Sequence, residues 1–391
     1  MIIGIDASRA NEEKKTGVGW YAYNVIQELK HLSTPQEMRF VLYTNKPLQG
    51  ELANLPENWE EKVLGWKLGR LWTQVRLSFE MLVNPPDVLF IPAHVFPIIH
   101  PKKTVMTIHD VAAVKFPESY NWFERWYTLW SAKFALKRLW KVIVPSEFTK
   151  KELESLKVES KKDEIKVVYH GYNEEYKKIE DNIKIENVLI KYNISKPYLL
   201  SIGRLEEKKN TINIIKAFEK LKIDSKFKIQ NSKLVLVGGE GHGFEKVMEA
   251  IDNSQFKNDI ITLGWVENED LPYLMNGADV FVFPSLYEGF GIPVLEAQAC
   301  GIPVITSGGY PSTSLRTATQ EVGGDACLYV DPQSVDEIVE GVLRFHNTDF
   351  IPLGYHCSLR MQIVEKGFEN IKRFSWEKCA KETLNVLINK D

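Results

Sequence analysis

Two glutamates, Glu288 and Glu296, flank a Gly-Phe-Gly turn in Pro284-Ser285-Leu286-Tyr287-Glu288-Gly289-Phe290-Gly291-Ile292-Pro293-Val294-Leu295-Glu296-Ala297. Carboxylates so placed can accept hydrogen bonds from sugar hydroxyls. The run Asp279-Val280-Phe281-Val282-Phe283 ahead of them reads as a buried strand, and the segment behind as a helix. Glu288 then sits in a loop at a strand's C-terminal end, with Glu296 about one turn inside the helix. In an open α/β sheet that edge is where ligands bind. Helix N-terminal amides at Phe290, Gly291 and Ile292 can hold a phosphate there. A second cluster, Gly203-Arg204-Leu205-Glu206-Glu207-Lys208-Lys209-Asn210, follows a strand at 198–202 and opens a helix near 209. Arginine offers phosphate a planar fork and lysine a compact charge. Lysines at a helix start oppose its dipole unless an anion binds. The cluster read alone is a solvated charged turn. Paired with the glutamates, it reads as fixed cations that bind an anion.

These residues need a scaffold. The chain has 391 residues, more than one ordinary core holds, which predicts two domains. Strand-like runs at 2–5, 39–43, 87–91, 104–108 and 142–144 alternate with helical segments at 17–32, 121–140 and 146–156. This predicts a parallel sheet covered on both faces. A second series has strands at 198–202, 233–237, 260–263, 279–283, 303–305 and 327–330, with helices at 209–221, 243–252, 292–299 and 334–346. It reads as a second doubly wound unit. The predicted domains are 1–175 and 195–372, joined by a polar linker at 172–195. Helices at 356–372 and 376–389 close the chain, with Ser375 capping the second.

Composition narrows the function. The net charge of −3 argues against a nucleic-acid partner. Cys300, Cys327, Cys357 and Cys379 show no metal-like spacing and read as reduced thiols, which favours a cytoplasmic location. The opening Ile2-Ile3-Gly4-Ile5 reads as a strand and not as a signal peptide. No apolar run approaches the ~20 residues of a membrane span. Residues 121–151 combine Trp122, Trp126, Trp130 and Phe134 with seven Lys or Arg against two Glu. They read either as a basic helix lying at the inner face of a membrane or as a core stripe with a solvated lysine face. Gly238-Gly239-Glu240-Gly241-His242-Gly243 is a tight turn or a loop flanking the ligand. Ser146 reads as a helix cap.

The Glu288–Glu296 segment, with its preceding strand and following Ala299-Cys300-Gly301-Ile302-Pro303-Val304-Ile305, resembles the E-x7-E signature of family 4 glycosyltransferases. The resemblance implies the GT-B fold: two Rossmann-like domains facing across a cleft, with helix 376–391 crossing back onto the first. It implies a retaining enzyme that moves a hexose from a nucleotide diphosphate sugar to a saccharide or lipid-linked acceptor. Arg204 and Lys209 fall on the family's Arg-Lys pair, with Lys208 competing for the lysine role. The family often has Gly in place of Asn210. The resemblance assigns Glu296 to the ribose hydroxyls and Glu288 to the donor hexose. It puts Trp265 and Val266 near the base, although Trp265 could equally pack between domains. Gly17 and Gly19 form a glycine-rich loop near the diphosphate, or an ordinary turn. His109 meets the donor sugar, with Asp110 orienting it or touching the acceptor. Arg316, in an atypical loop after Ser307, is a further phosphate contact or irrelevant. No Asp-x-Asp motif occurs, so neither a metal nor another cofactor is expected. The overall pattern, including the opening Gly4-Ile5-Asp6-Ala7-Ser8-Arg9, is most similar to bacterial mannosyltransferases of polysaccharide assembly. That makes GDP-mannose the first donor expected and UDP-hexoses the second. A silent nucleotide-sugar-binding subunit is the competing class.

Overall fold

The computed structural model describes the chain except residues 36, 67–70, 157, 159–163, 224–230, 309–316, 347–354 and 391. The chain divides into two compact units, 1–171 with 374–391, and 172–373.

The first unit holds strands β1 (Ile2–Asp6), β2 (Arg39–Thr44), β3 (Trp59–Val63), β4 (Val88–Ile91), β5 (Thr104–Thr107), β6 (Lys141–Val144) and β7 (Ile165–Val167). They form one sheet in the order β3-β2-β1-β4-β5-β6-β7. The second unit holds β8 (Tyr198–Ile202), β9 (Lys233–Val237), β10 (Ile260–Gly264), β11 (Val280–Phe283), β12 (Val304–Ser307) and β13 (Leu328–Val330), ordered β10-β9-β8-β11-β12-β13. The pairs are parallel, for example β8 with β9 and β11 with β12. Central strands such as Val280-Phe281-Val282-Phe283 are buried on both faces, which is why they read as unbroken apolar runs.

In both sheets the order reverses at the first strand, between β1 and β4 and between β8 and β11. A reversal leaves the two flanking loops diverging over the strands' C-terminal ends, and opens a crevice there. The sequence pattern places the Arg204 loop after β8 and the Glu288 loop after β11, so the topology makes them neighbours.

Several elements differ from the sequence reading, β7 and the helix Leu271–Gly277 among them, and three more bear on its organisation. Residues 182–191 are not linker but a helix capped by Asp181, whose carboxylate accepts from the Lys184 amide at 3.2 Å. Only Ile185 and Leu189 are buried in the second core, while Ile183 and Ile190 face solvent, so charge hides the period. β3 escaped notice because it is a polar edge strand, Trp59-Glu60-Glu61-Lys62-Val63. The helical segment Trp72–Val83, π-helical in its first half, also went unpredicted.

The predicted caps are present. Ser146 Oγ accepts from the Thr149 amide, and Ser375 Oγ from the Lys378 amide. The helix Trp376–Ile388 lies in the first unit, where Cys379, Ala380 and Leu387 join the core of Tyr21, Val25 and Ile26.

Candidate functional site

In the second unit the chain leaves β8 through Gly203 and Arg204. It makes one 3-10 turn, Glu207–Lys209, and enters the helix Thr211–Ile223 through Asn210. Asn210 has φ +62°, the left-handed region that asparagine tolerates better than other side-chain-bearing residues. Its Nδ2 donates to Pro284 O at 3.0 Å and Pro332 O at 2.6 Å. The asparagine therefore fits a position where glycine is common and adds a tie between the loops after β8 and β11. A second tie runs from the Leu286 amide to Lys208 O at 2.9 Å.

These ties bring the charged side chains together. Lys209 Nζ donates to Glu288 Oε1 at 2.5 Å and lies 5.1 Å from the centre of the Phe283 ring. Lys208 leans instead toward Glu206, 3.8 Å away. Of the two lysines, Lys209 is the one the fold turns toward the glutamate loop.

The glycines after β9 buttress this loop. Gly238 has φ +142°, and a Cβ there would lie 2.0 Å from Gly203 O. A Cβ on Gly241 would strike the Glu206 side chain. The Leu205 amide bonds Gly239 O at 2.9 Å. The segment 238–243 is thus packed against the Arg204–Lys209 loop.

After β11, Gly291 turns the chain at φ +104° into the helix Ile292–Ala299. Phe290 is buried and Ile292 half-buried. Glu296 keeps a partly accessible surface, but burial of its carboxyl pushes its pKa up to about 8. Tyr176 and Cys300 are close enough to feel its charge, and burial raises both of them as well. Tyr176 was missed because it lies in the segment read as linker. Trp265 stands 63% exposed. Val266 is a core side chain in one cluster with Leu274 and Met275, so at that position its backbone is what the loop offers. Arg316 lies outside the described residues.

The first unit presents a different chemistry. His109 follows β5 and donates its Nε2–H to Pro92 O at 2.9 Å. Its ring packs edge-on against Tyr21, with centroids 4.6 Å apart, and lies 5.4 Å from both His94 and His170. Burial, then the nearby His94, drives its pKa down to about 3, so the imidazole is neutral. Burial likewise lowers His94 and His170. Neither had a motif to reveal it. Asp110 Oδ1 accepts from the Ala112 amide at 2.9 Å, which commits that oxygen to the turn opening 112–115. What holds His109 is the Pro92 carbonyl and the Tyr21 ring.

Gly17 opens the helix Gly17–His31 with free space where a Cβ would stand. Gly19 is different: its Cβ would lie 3.0 Å from Arg9 O, so it serves packing within its own loop. Over the C-terminal ends of β1 and β2 lies a cavity of about 510 Å³, lined by Ser8, Arg9, Asn45, Lys46, Trp72 and Gln74 among others.

The chain is similar to known proteins in sequence and in fold. Residues 184–368 match the family model described as Glycosyl transferases group 1, and residues 16–176 match Glycosyltransferase Family 4. The chain is 36% identical over 200 residues to an O-antigen chain mannosyltransferase B of Escherichia coli, covering 51% of this chain and 48% of that protein. The chain therefore spans about half the length of that relative. An O-antigen chain mannosyltransferase of Salmonella typhimurium is 23% identical over 310 residues, covering 76% of this chain and 77% of its own. A solved sucrose-phosphate synthase from Thermosynechococcus elongatus superposes with a TM-score of 0.73 at 16% identity, covering 100% of this chain and 99% of that one.

Proposed function

We propose that this chain, which belongs to the GT-B glycosyltransferases, moves a hexose from a nucleotide diphosphate sugar to an acceptor hydroxyl with retention, and that the donor is GDP-mannose. The observation that carries the reading is the Lys209–Glu288 contact at the β8/β11 switch point, on the loop that also holds Arg204. The two O-antigen mannosyltransferase relatives support mannose as the sugar.

In this reading the diphosphate lies over the β8 loop. Arg204 and Lys209 take up the charge that develops on its oxygens as the glycosidic bond breaks. Glu288 holds Lys209 in place before the donor arrives, and then accepts hydrogen bonds from the hexose hydroxyls. Glu296 receives the two ribose hydroxyls. Hydroxyl donors favour the ionised carboxylate, so nucleotide binding draws the Glu296 proton off. The helix start at Gly291–Ile292 supplies amides to phosphate, Gly203 lets the donor approach the β8 loop, and Trp265 meets the base. His109, with Nε2 spent on Pro92, has Nδ1 left to accept from a sugar hydroxyl. Gly17 leaves room for donor or acceptor. The acceptor is a saccharide, free or lipid-linked, whose hydroxyl proton passes to the departing phosphate. The cations replace a metal in this scheme.

The test is thermal stability with GDP or UDP in the presence of EDTA. A ligand at a hundred times its dissociation constant adds about 2.7 kcal/mol to the state it binds. Stabilisation by GDP alone supports the proposal. Stabilisation by UDP alone replaces the donor with a UDP-hexose. No response to either leaves a silent subunit or a different donor nucleotide as the reading.

A further inference from the structure

The helix Trp122–Arg138 does not bury its tryptophans. Trp122 is 80% exposed, and Phe123, Trp126 and Trp130 are exposed beside it. Its inward face is Ser131, Ala132, Ala135, Leu136 and Leu139. The aromatic stripe is therefore not core. It forms a ladder in water, with Trp126 stacked on Trp130 at 5.9 Å and Phe123 6.1 Å from Trp126.

A second element carries the same oddity. Along Trp72–Val83 the inner face buries Trp72, Leu77 and Met81, yet Val75, Phe79, Leu82 and Val83 face outward, as does Leu71 just before. A helix apolar on both faces is normally buried on both.

The two elements are joined. Gln74 Nε2 donates to Tyr127 OH at 3.2 Å, and the Ile99 amide donates to Ser78 Oγ at 3.3 Å. Between them Phe96 stacks on Trp130 at 5.5 Å and on Phe134 at 4.6 Å, and Ile98 and Ile99 are exposed at the surface. Soluble chains rarely expose a connected apolar patch of this extent unless something covers it.

Charge identifies the cover. The whole chain carries −3, but residues 115–138 carry Lys115, Arg125, Lys133, Lys137 and Arg138 against Glu118 and Glu124. Lys102 and Lys103 stand exposed beyond Ile98 and Ile99. Arg76 lies 6.0 Å from the Phe79 ring. Lys133 and Lys137 continue the Trp126–Trp130 face by helical spacing and are exposed. Tryptophans beside apolar side chains, rimmed by lysines, match the layering of a bilayer interface with anionic headgroups. No helix among the described residues is long and apolar enough to cross a membrane.

We infer that residues 71–83, 96–103 and 122–138 form one surface that docks the first unit onto an anionic lipid bilayer, with the apolar side chains in the acyl boundary and the lysines on the headgroups. The surface is independent of the donor proposed above. It orients the first unit, with its β1–β2 cavity beside Trp72 and Gln74, toward acceptors carried by lipid.

The test is co-sedimentation of the full chain with vesicles of phosphatidylcholine alone or mixed with phosphatidylglycerol, at low and high salt. The expected result is binding about tenfold tighter to the anionic vesicles and weakened by salt. Trp122→Ala and Phe79→Ser, on different elements, should each lower partitioning several-fold while leaving thermal stability and nucleotide response unchanged. The double variant Lys133→Glu/Lys137→Glu should bring the two vesicle types level. Failure to pellet with either vesicle overturns the inference. So does an effect of Trp122→Ala without one of Phe79→Ser. A concentration-dependent dimer that Phe79→Ser dissociates would assign the surface to a second copy and also overturn it.

Discussion

The two units share a strand order and differ in what they collect at the point where it reverses. The second unit gathers opposite charges, Lys209 against Glu288, with Arg204 exposed on the same loop as Lys209 and the two loops tied through Asn210. The first gathers neutral rings, His109 and His170 against Tyr21 and His94 against His109, with burial holding the imidazoles uncharged. A charged edge suits an anion whose charge grows during reaction. A neutral edge suits hydroxyls, which need orientation more than charge. In the proposed reading one topology serves two tasks through its loops alone.

The comparison breaks most directly at Arg204. Arg204→Ala should lower kcat/KM for sugar transfer by about 10²–10³, the scale of removing one preorganised transition-state donor. The lysine variant should recover only part, since the planar fork is lost. Steady-state kinetics on both decides it.

The next effect sharpens the ion pair. Lys209→Ala and Glu288→Gln should each cost roughly 10–10² in kcat/KM, and the double variant less than their product, because each removes the same contact. Strict additivity in the cycle would show that the two act independently.

Glu296 provides a pH test. Its folded pKa of about 8 lies above the roughly 4.3 of an unfolded glutamate. Between those values the folded state holds the extra proton, so stability falls as pH rises from about 5 to about 8 and then levels. Glu296→Gln should flatten that decline by ~1–3 kcal/mol. Urea titrations across pH read it.

The smallest effect belongs to the first unit. His109 titrates near 3, so replacing it with Asn should lower turnover without moving any limb of the pH–rate profile between pH 6 and 8. A limb near 6.5 that disappears in the variant would mean that the ring is charged in the working enzyme.

The chain itself disclosed the second unit better than the first. Its strands are apolar runs, and its two charged motifs lie on short loops beside them, so spacing and position coincide. The competition between Lys208 and Lys209 was legible as a pair but not as a choice; the single turn between Glu207 and Asn210 decides which lysine meets Glu288. The helix 182–191 was hidden because two buried apolar positions cannot outweigh its charged surroundings. His94 and His170 were invisible for another reason. They come from segments far apart in the sequence and meet His109 only through strand order. The aromatic ladder was legible as a pattern, but its outward direction depended on which face Ala132 and Ala135 took.

The account's central claim is that the Arg204–Lys209 loop holds the donor's diphosphate. Calorimetric titration of GDP into wild type and into Lys209→Ala, with EDTA present, tests it most directly. The account predicts binding to wild type and affinity at least about tenfold weaker in the variant, the scale of one charge-assisted contact. Equal affinity in both proteins would contradict it.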